Sequence, residues 1–321
     1  MTEISRWDAE MLRFTREMEA AAALDPQPDP RRDVAGARAW TERMNLPLAA
    51  GGDAMAESRD VTLPTAAGPV RCRLHRPVRE AGLPVLVFVH GGGWVWNSVD
   101  THDRLLRAYA AAAGCAVVSP DYALSPEAVF PRALHEVAGV IRHLAAEGAS
   151  LGLDGSRIVA GGDSAGANLA LAAALLLRDE APALALQGLL LNYGCFDANC
   201  DTASYAEFAE GYGLTRARMR MFWEMYAPDP AERLGPLASP GLASLHDLPP
   251  VLLHIAELDV LRDDSEAIEQ RLLDAGVAVE RHLFPGVVHG FLRAQGRVSK
   301  AGESVREAGA WLRARFGTPG A

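Results

Sequence analysis

The amino-acid sequence predicts an α/β protein built on a mostly parallel, eight-stranded sheet with helices on both faces. From residue 84 onwards, short apolar runs alternate with longer segments of helical pattern, which is typical of parallel strands joined by crossover helices. Before them, two alternating stretches within residues 59–77 flank a turn-like Ala-Ala-Gly, a pattern that predicts an antiparallel hairpin. The chain has 321 residues, 49% of them hydrophobic, so it can bury the large core that such a sheet requires.

Each expected element follows from this alternation. The hairpin supplies two strands, and the apolar runs supply six more, at residues 84–90, 115–120, 157–162, 186–193, 250–256 and 277–284. Segments of helical pattern separate or follow them near residues 101–113, 131–148, 165–178, 263–275 and 301–315. The parallel strands are therefore expected to end at a common edge, where open α/β sheets bind ligands.

Two segments do not fit the alternation, namely residues 1–55 and residues 196–237. The second segment inserts helical pattern and several aromatic residues between two expected strands. An insertion at the carboxyl end of a strand lies above the ligand-binding edge of the sheet. We therefore expect residues 1–55 and 196–237 to form a helical cap over a core made of residues 56–195 and 238–321.

Charge and hydropathy disfavour several classes of partner. With 31 basic and 41 acidic residues the formal net charge is -10, which argues against nucleic acid and anionic membrane as partners. The N-terminus lacks the basic-then-apolar layout of a signal peptide, and the most apolar helical segment, residues 165–177, is too short to span a bilayer. We therefore expect a cytoplasmic protein, and these features leave a homodimer open.

A serine within the segment AGGDSAG, residues 160–166, is the candidate nucleophile. The pentapeptide G-x-S-x-G runs from Gly162 to Gly166, after an expected strand and before an expected helix. On such a sharp strand-to-helix turn the serine hydroxyl projects above the sheet, and the flanking glycines relieve the crowding. The sequence therefore predicts Ser164 as the nucleophile.

The candidate base is a histidine that follows the serine in sequence. A serine hydroxyl needs a base to take its proton, and in the fold typical of this pentapeptide the chain order is serine, acid, histidine. His254 and His282 lie inside expected strands, and His246 lies in a loop that no strand end delivers. His289 comes just past the last expected strand, where a loop can hold an imidazole over the sheet, so we assign the base to it.

The acid that orients this base is sought after the strand at residues 250–256. Asp259 lies in the turn directly after that strand. Asp263 and Asp264 are expected to cap the following helix or to interact with its dipole in the first turn. We therefore assign the acid to Asp259 and keep Asp197, after the preceding strand, as the alternative.

Three consecutive glycines in HGGGW, residues 90–94, indicate an oxyanion site. Attack on a carbonyl leaves a negatively charged oxygen, and glycines let a substrate approach backbone N–H donors closely. We expect the donors to be Gly92, Gly93 and Ala165, the residue after the nucleophile. The sequence contains no phosphate-loop motif and no H-E-x-x-H motif, so neither a cofactor nor a metal ion is expected.

In combination these motifs resemble the hormone-sensitive-lipase-like group of α/β-hydrolases. The resemblance spans residues 59–295 and rests on HGGGW at 90–94, DTHDRLLR at 100–107, DYALSPEAVFP at 121–131, GDSAGANLAL at 162–171, ELDVLRDDS at 257–265 and FPGVVHGFL at 284–292. The chain departs from the family pattern after the acid, where Val260 stands in place of the usual proline.

The resemblance implies a serine carboxylesterase that hydrolyses short acyl esters without a cofactor, as bacterial acetyl esterases do. The expected partner is thus a small-molecule ester. Contacts with it are expected from Trp94 in the glycine loop and from Phe222 and Trp223 in the insertion, with packing inside the cap as the alternative for each. Amide, carbonate or lactone substrates would require the same three catalytic residues, whereas a catalytically silent binding protein on this scaffold would not need all three.

Overall fold

The structure, a computed structural model, describes residues 3–317. The expected cap segment 1–55 includes residues 1–2, and the expected core segment 238–321 includes residues 318–321; these six residues lie outside the described residues.

The strands are β1 (Glu57–Leu63), β2 (Val70–Arg76), β3 (Leu83–Val89), β4 (Ala116–Pro120), β5 (Leu153–Asp163), β6 (Gly188–Asn192), β7 (Val251–Leu258) and β8 (Val279–Val288). The helices are α1 (Ala9–Leu24), α2 (Val34–Ala49), α3 (Asp103–Ala113), α4 (Arg132–Glu147), α5 (Ala165–Glu180), α6 (Ala203–Glu207), α7 (Arg216–Tyr226), α8 (Pro230–Arg233), α9 (Arg262–Asp274) and α10 (Ser299–Phe316).

All eight strands belong to one sheet, in the order β1-β2-β4-β3-β5-β6-β7-β8. The pairs β1–β2 and β2–β4 are antiparallel, and the pairs from β4–β3 to β7–β8 are parallel. Every residue of β3 and of β6 is buried, because helices cover both faces of the central strands. The prediction of an α/β protein with a mostly parallel eight-stranded sheet is confirmed.

The strand order fixes which helices share a face. The chain moves from β3 to β4 through α3 and returns past β3 to β5 through α4, so right-handed crossovers place α3 and α4 on opposite faces. Helix α5 packs on α4, and α10 packs on α3, where a Cβ at Gly309 would lie 2.7 Å from Ala112 Cβ. The core thus has three layers, with the sheet in the middle.

The N-terminal helix α1 is attached to the C-terminal part of the chain. The Asp8 side chain caps α1 by accepting from the N–H groups of Glu10 and Met11, while the Asp8 N–H donates to the Gly286 carbonyl at 2.9 Å. Glu10 in turn accepts from the Ser299 N–H at 2.6 Å. The side of α1 that carries the buried Met11 therefore packs on the core. Of the helices within residues 3–317, none has both the length and the apolar character needed to cross a bilayer.

Two buried histidines and one buried aspartate make the stability of the fold depend on pH. Burial, aided by a neighbouring histidine in each case, lowers the pKa of His90 to about 4 and that of His254 to about 3. Burial also raises the pKa of the Asp264 carboxyl well above its usual range. Between pH 6.5 and 4 the unfolded chain therefore binds two more protons at these two histidines than the folded protein does, and one fewer at Asp264.

We expect the free energy of unfolding to fall on acidification from pH 6.5 to 4, by on the order of 1 kcal/mol per pH unit for this net uptake of one proton. Urea unfolding at a series of pH values measures the slope. The variant Asp264→Asn lacks the opposing carboxyl and should therefore show a slope about twice as steep. Equal slopes in the two proteins would mean that Asp264 is ionised in the fold.

Candidate active site

Ser164 lies on a sharp turn between β5 and α5. Its φ of 56° and ψ of -121° are strained for a residue with a side chain, and its N–H donates to the Asn192 carbonyl at 2.9 Å. A Cβ at Gly162 would lie 2.5 Å from the Val89 carbonyl oxygen, and a Cβ at Gly166 only 1.9 Å from it. Glycine is thus required at both positions, and the turn presents the Ser164 hydroxyl at the carboxyl end of the sheet.

A continuous series of hydrogen bonds joins Ser164, His289 and Asp259. His289 Nε2 lies 2.9 Å from Ser164 Oγ, and His289 Nδ1 lies 2.7 Å from Asp259 Oδ2. Because a carboxylate only accepts hydrogen bonds, Nδ1 carries the proton and Nε2 is left to accept from the serine. Asp259 is 1% exposed, and its other oxygen accepts from the Leu261 N–H at 3.0 Å, which fixes its orientation.

The pairing of β7 with β8 brings the acid and the histidine together. Leu258 is paired with Val288, and Asp259 and His289 are the residues that follow them. The last expected strand ends at residue 284, but β8 continues to Val288, because its pairing with β7 resumes after an irregularity between Ala256 and Leu258. His289 is therefore delivered by a strand end, and not by a longer loop.

The other candidates lie away from this hydrogen-bonded series. The fully buried His254 contacts Ser304 Oγ through Nδ1 at 2.6 Å, and His282 lies between two glutamates. His246 is exposed beside Ser244, and Asp197 accepts hydrogen bonds from Asn199. Of the four histidines that follow Ser164 in sequence, only His289 is therefore hydrogen-bonded to it.

Asp263 and Asp264 lie in the first turn of α9, as expected, but neither caps that helix. Asp263 Oδ2 accepts from the Ser204 N–H at 2.7 Å, and Asp264 Oδ2 accepts from the Phe196 N–H at 3.3 Å. The N-cap residue is Leu261, which has no side-chain acceptor. The prediction of a capping role is wrong, because both carboxyl groups instead bond to the insertion at residues 196–237.

Each glycine of HGGGW is required by a different neighbour. A Cβ at Gly91 would lie 2.5 Å from Asp163 Oδ2. At Gly92, where φ is +133°, it would lie 2.0 Å from the Trp96 carbonyl oxygen, and at Gly93, where φ is +59°, it would lie 2.4 Å from the Phe222 ring. The loop therefore folds tightly between the strand ends and the insertion.

The expected oxyanion donors have N–H groups that are not used elsewhere. Among residues 3–317, no acceptor is hydrogen-bonded to the N–H of Gly92, Gly93 or Ala165. Ala165 is the first residue of α5, where a helix leaves its N–H groups unpaired and its dipole favours negative charge. Gly92 and Gly93 belong to the glycine loop and line the cavity described below, and Ala165 directly follows Ser164.

Asp163, for which no sequence motif predicted a role, holds the glycine loop in place. Its Oδ1 accepts from the Gly91 N–H at 2.9 Å and lies 3.3 Å from His102 Nε2. Desolvation raises the pKa of the Asp163 carboxyl, but the neighbouring His102 imidazole and the Gly91 N–H outweigh it and lower that pKa overall. Asp163 is therefore an ionised anchor, and its position next to the nucleophile was the only signal in the sequence.

A second set of hydrogen bonds ties the glycine loop to helix α2. Asn97 Nδ2 donates to the Gly91 carbonyl at 3.1 Å, and Asn45 Nδ2 donates to Asn97 Oδ1 at 3.0 Å. Arg293 Nη1 completes the series by donating to Asn45 Oδ1 at 2.9 Å. Three separate segments of the chain, namely the glycine loop, α2 and the 3-10 helix that carries Arg293, thus meet here, a contact that no sequence pattern indicated.

A cavity of about 290 Å³ opens over Ser164 and His289. Gly92, Gly93 and Trp96 form part of its wall. The opposite wall comes from α1, α2, α7 and the loop before α7, and includes Met11, Phe14, Met18, Trp40, Met44, Leu48, Leu214 and Phe222. The cavity is therefore mostly apolar, with the hydrogen-bonded serine at one side.

Of the three expected substrate contacts, the structure brings only Phe222 to the cavity. Trp94 is fully buried, stacked on Tyr226 with ring centroids 4.1 Å apart, and Trp223 packs against Trp94 at 4.5 Å. The expectation for Trp94 and Trp223 is therefore corrected to packing behind the cavity wall. Trp96, two residues further along, lines the cavity and contacts Phe222 edge-on at 4.8 Å.

Comparisons with known proteins identify the family to which this chain belongs. The sequence profile of the alpha/beta hydrolase fold family matches residues 86–293. An acetyl esterase of Salmonella choleraesuis strain SC-B67 is 34% identical over 82% of this chain and 81% of its own. An ethyl acetate hydrolase of Pseudomonas putida is 37% identical over 77% and 79%. The crystal structure of a thermostable carboxylesterase cloned from a metagenomic library superposes with a TM-score of 0.85 at 35% identity, covering 90% of this chain and 98% of that chain.

Proposed function

Since this chain belongs to the hormone-sensitive-lipase-like group of α/β-hydrolases and is a carboxylic ester hydrolase, we propose that it hydrolyses short-chain acyl esters through a triad of Ser164, His289 and Asp259. The observation that carries the proposal is the uninterrupted series of hydrogen bonds from Asp259 to Ser164, at 2.7 Å and 2.9 Å, beside three unused backbone N–H groups.

In the first half of the proposed reaction, Ser164 Oγ attacks the ester carbonyl carbon while His289 Nε2 takes the hydroxyl proton. The carbonyl electron pair moves onto oxygen, and the N–H groups of Gly92, Gly93 and Ala165 stabilise the charge. When the intermediate collapses, the alcohol leaves with the proton from His289, and the acyl group stays on Ser164. Asp259 keeps the imidazole in the required tautomer and stabilises its transient positive charge.

In the second half, water replaces the alcohol. His289 takes a proton from a water molecule whose oxygen attacks the acyl-serine carbonyl, and the same N–H groups stabilise the second oxyanion. Collapse of this intermediate returns the proton to Ser164 Oγ and releases the carboxylic acid. The cycle consumes one ester and one water and needs no further reactant.

The proposed cap supports the preference for short acyl chains. We assign residues 1–55 and 196–237 to it, because both segments contribute to the cavity wall opposite the sheet. The cavity volume of about 290 Å³ is at the lower end for small-molecule sites, and Trp96 and Phe222 close part of it beside the glycine loop. A long acyl chain would extend into water, where its further methylenes gain no burial.

Hydrolysis of p-nitrophenyl acetate, butyrate, octanoate and laurate tests the proposal. We expect kcat/KM to be highest for acetate or butyrate and to be about tenfold lower for laurate, a loss of roughly 1.4 kcal/mol. Phe222→Ala should shift the preference towards octanoate because it removes a wall of the cavity. Phe208→Ala, which truncates a buried aromatic of the same insertion outside the cavity wall, is the matched control and should keep the wild-type order. Equal rates for laurate and acetate would contradict the short-chain assignment.

A further inference from the structure

Two arginines, Arg218 and Arg293, line the proposed active-site cavity. Arg218 lies in the first turns of α7, four residues before Phe222, so both project from the same face of that helix. Arg293 lies in the short 3-10 helix Phe291–Ala294, directly after the segment that carries His289. The cavity therefore has two positive charges in a protein whose formal net charge is -10.

The acceptors of these two guanidinium groups are neutral. Arg293 Nη1 donates to Asn45 Oδ1 at 2.9 Å, and its Nε donates to the Gly290 carbonyl at 3.4 Å. Arg218 Nη2 donates to Gln27 Oε1 at 3.4 Å, which is a long hydrogen bond. Since a guanidinium has five N–H donors, each arginine has donors left over for a ligand.

Within the described part of the chain, neither guanidinium has a carboxylate at ion-pair distance. Glu19 lines the same cavity but is exposed and forms no ion pair with either arginine, and Asp163 is already bound to Gly91 and His102. The Arg218 side chain is exposed and also contributes to the cavity wall. Partial desolvation by the surrounding residues, together with the positive charge of Arg293, lowers the pKa of Arg218.

Two cations with leftover donors in a mostly apolar cavity favour an anionic ligand. Planar guanidinium groups match a carboxylate in geometry, and such charge-assisted hydrogen bonds are about twice as strong as neutral ones. A neutral ester would leave both cations without a counter-charge. We therefore propose that the natural substrate is an ester that also carries a carboxylate, which Arg218 and Arg293 bind while Ser164 attacks the ester group. This inference rests on the proposed function and names its substrate class.

Two matched pairs of esters test the inference and locate the carboxylate. In the first pair the charge is on the acyl portion, as p-nitrophenyl hydrogen adipate against p-nitrophenyl heptanoate. In the second it is on the leaving group, as 4-acetoxybenzoate against 4-acetoxybenzamide. For each pair the measured quantity is the ratio of kcat/KM for the anionic ester to that for the neutral ester.

We expect this ratio to fall about tenfold in Arg218→Gln and further in Arg218→Glu, for at least one of the pairs. Arg220→Gln, which removes an exposed arginine of the same helix that lies outside the cavity wall, should keep the wild-type ratios. A change confined to the adipate pair places the carboxylate on the acyl portion, and one confined to the benzoate pair places it on the alcohol portion. Ratios that are unchanged for both pairs in both Arg218 variants would overturn the inference.

Binding to Ser164→Ala separates this inference from the catalytic proposal. Titration calorimetry of Ser164→Ala and Ser164→Ala/Arg218→Gln with the same esters needs no turnover. The inference predicts that the second substitution weakens binding of the anionic member about tenfold more than that of the neutral member. If the wild type hydrolyses none of the four esters, the catalytic proposal fails, whereas equal affinity losses for both members would refute only the carboxylate assignment.

Discussion

Replacing Ser164 by alanine should lower kcat for p-nitrophenyl acetate by about 10⁴- to 10⁶-fold, because the nucleophile is lost while the donors and the cavity stay in place. Position 164 keeps the strained φ of 56° in this variant, and alanine tolerates that conformation no worse than serine does. The fold should thus be retained, and thermal unfolding of the variant checks this. The rate is to be measured at saturating substrate, so that weaker binding does not contribute.

The chain offers a matched control in a second serine–histidine pair. Ser304 Oγ lies 2.6 Å from His254 Nδ1, and both residues are fully buried and lie outside the cavity wall. Ser304→Ala removes an equivalent hydroxyl and should cost about 1 kcal/mol of stability with little change in kcat. Turnover by Ser164→Ala within a factor of ten of the wild type would refute the assignment of the nucleophile.

Gly93→Ala is expected to lower kcat by about 10²- to 10³-fold, the range found when one oxyanion donor is removed. Its new Cβ would lie 2.4 Å from the Phe222 ring, and its φ of +59° is unfavourable for alanine. The loop must therefore shift, and the N–H of Gly93 moves away from the position that the oxyanion would occupy. Steady-state kinetics with p-nitrophenyl acetate measures the loss.

Gly114→Ala separates the effect of the loop from that of backbone strain. Gly114 has a φ of +62°, close to that of Gly93, but no heavy atom lies within 4 Å of its added Cβ. This control should lose about 1 kcal/mol of stability and keep its kcat. If both variants lose activity to the same extent, strain alone explains the result and the donor assignment is contradicted.

The sequence was sufficient where one local pattern determines one position. The pentapeptide around Ser164 specifies a strand, a tight turn and a helix, and the structure has all three. The alternation of apolar runs predicted the sheet for a similar reason, because crossover helices follow from parallel strands. Asp259 and His289 were reached through chain order, whereas their proximity depends on the pairing of Leu258 with Val288, which only the folded sheet reveals.

The sequence was insufficient where the orientation of a side chain decides its role. Trp94 and Trp96 are two residues apart in one irregular loop, and no periodicity indicates that the first packs on Tyr226 while the second lines the cavity. Arg218 and Arg293 are 75 residues apart in sequence (293 minus 218). That both line the cavity therefore follows only from the packing of α7 over the sheet. Contacts between distant segments carry no local signal, and these contacts form most of the proposed substrate site.

The attachment of α1 to residues 286–299 has a consequence for the order in which a new chain is completed. Helix α1 leaves the ribosome early, but the carbonyl of Gly286 and the N–H of Ser299, which receive it, are synthesised at least 278 residues after Asp8 (286 minus 8). At about 5–20 residues per second, the helix waits roughly 15 to 55 s for its binding partners. During translation the nascent cavity therefore lacks one of its walls, and the site is complete only after residues 286–299 have been synthesised.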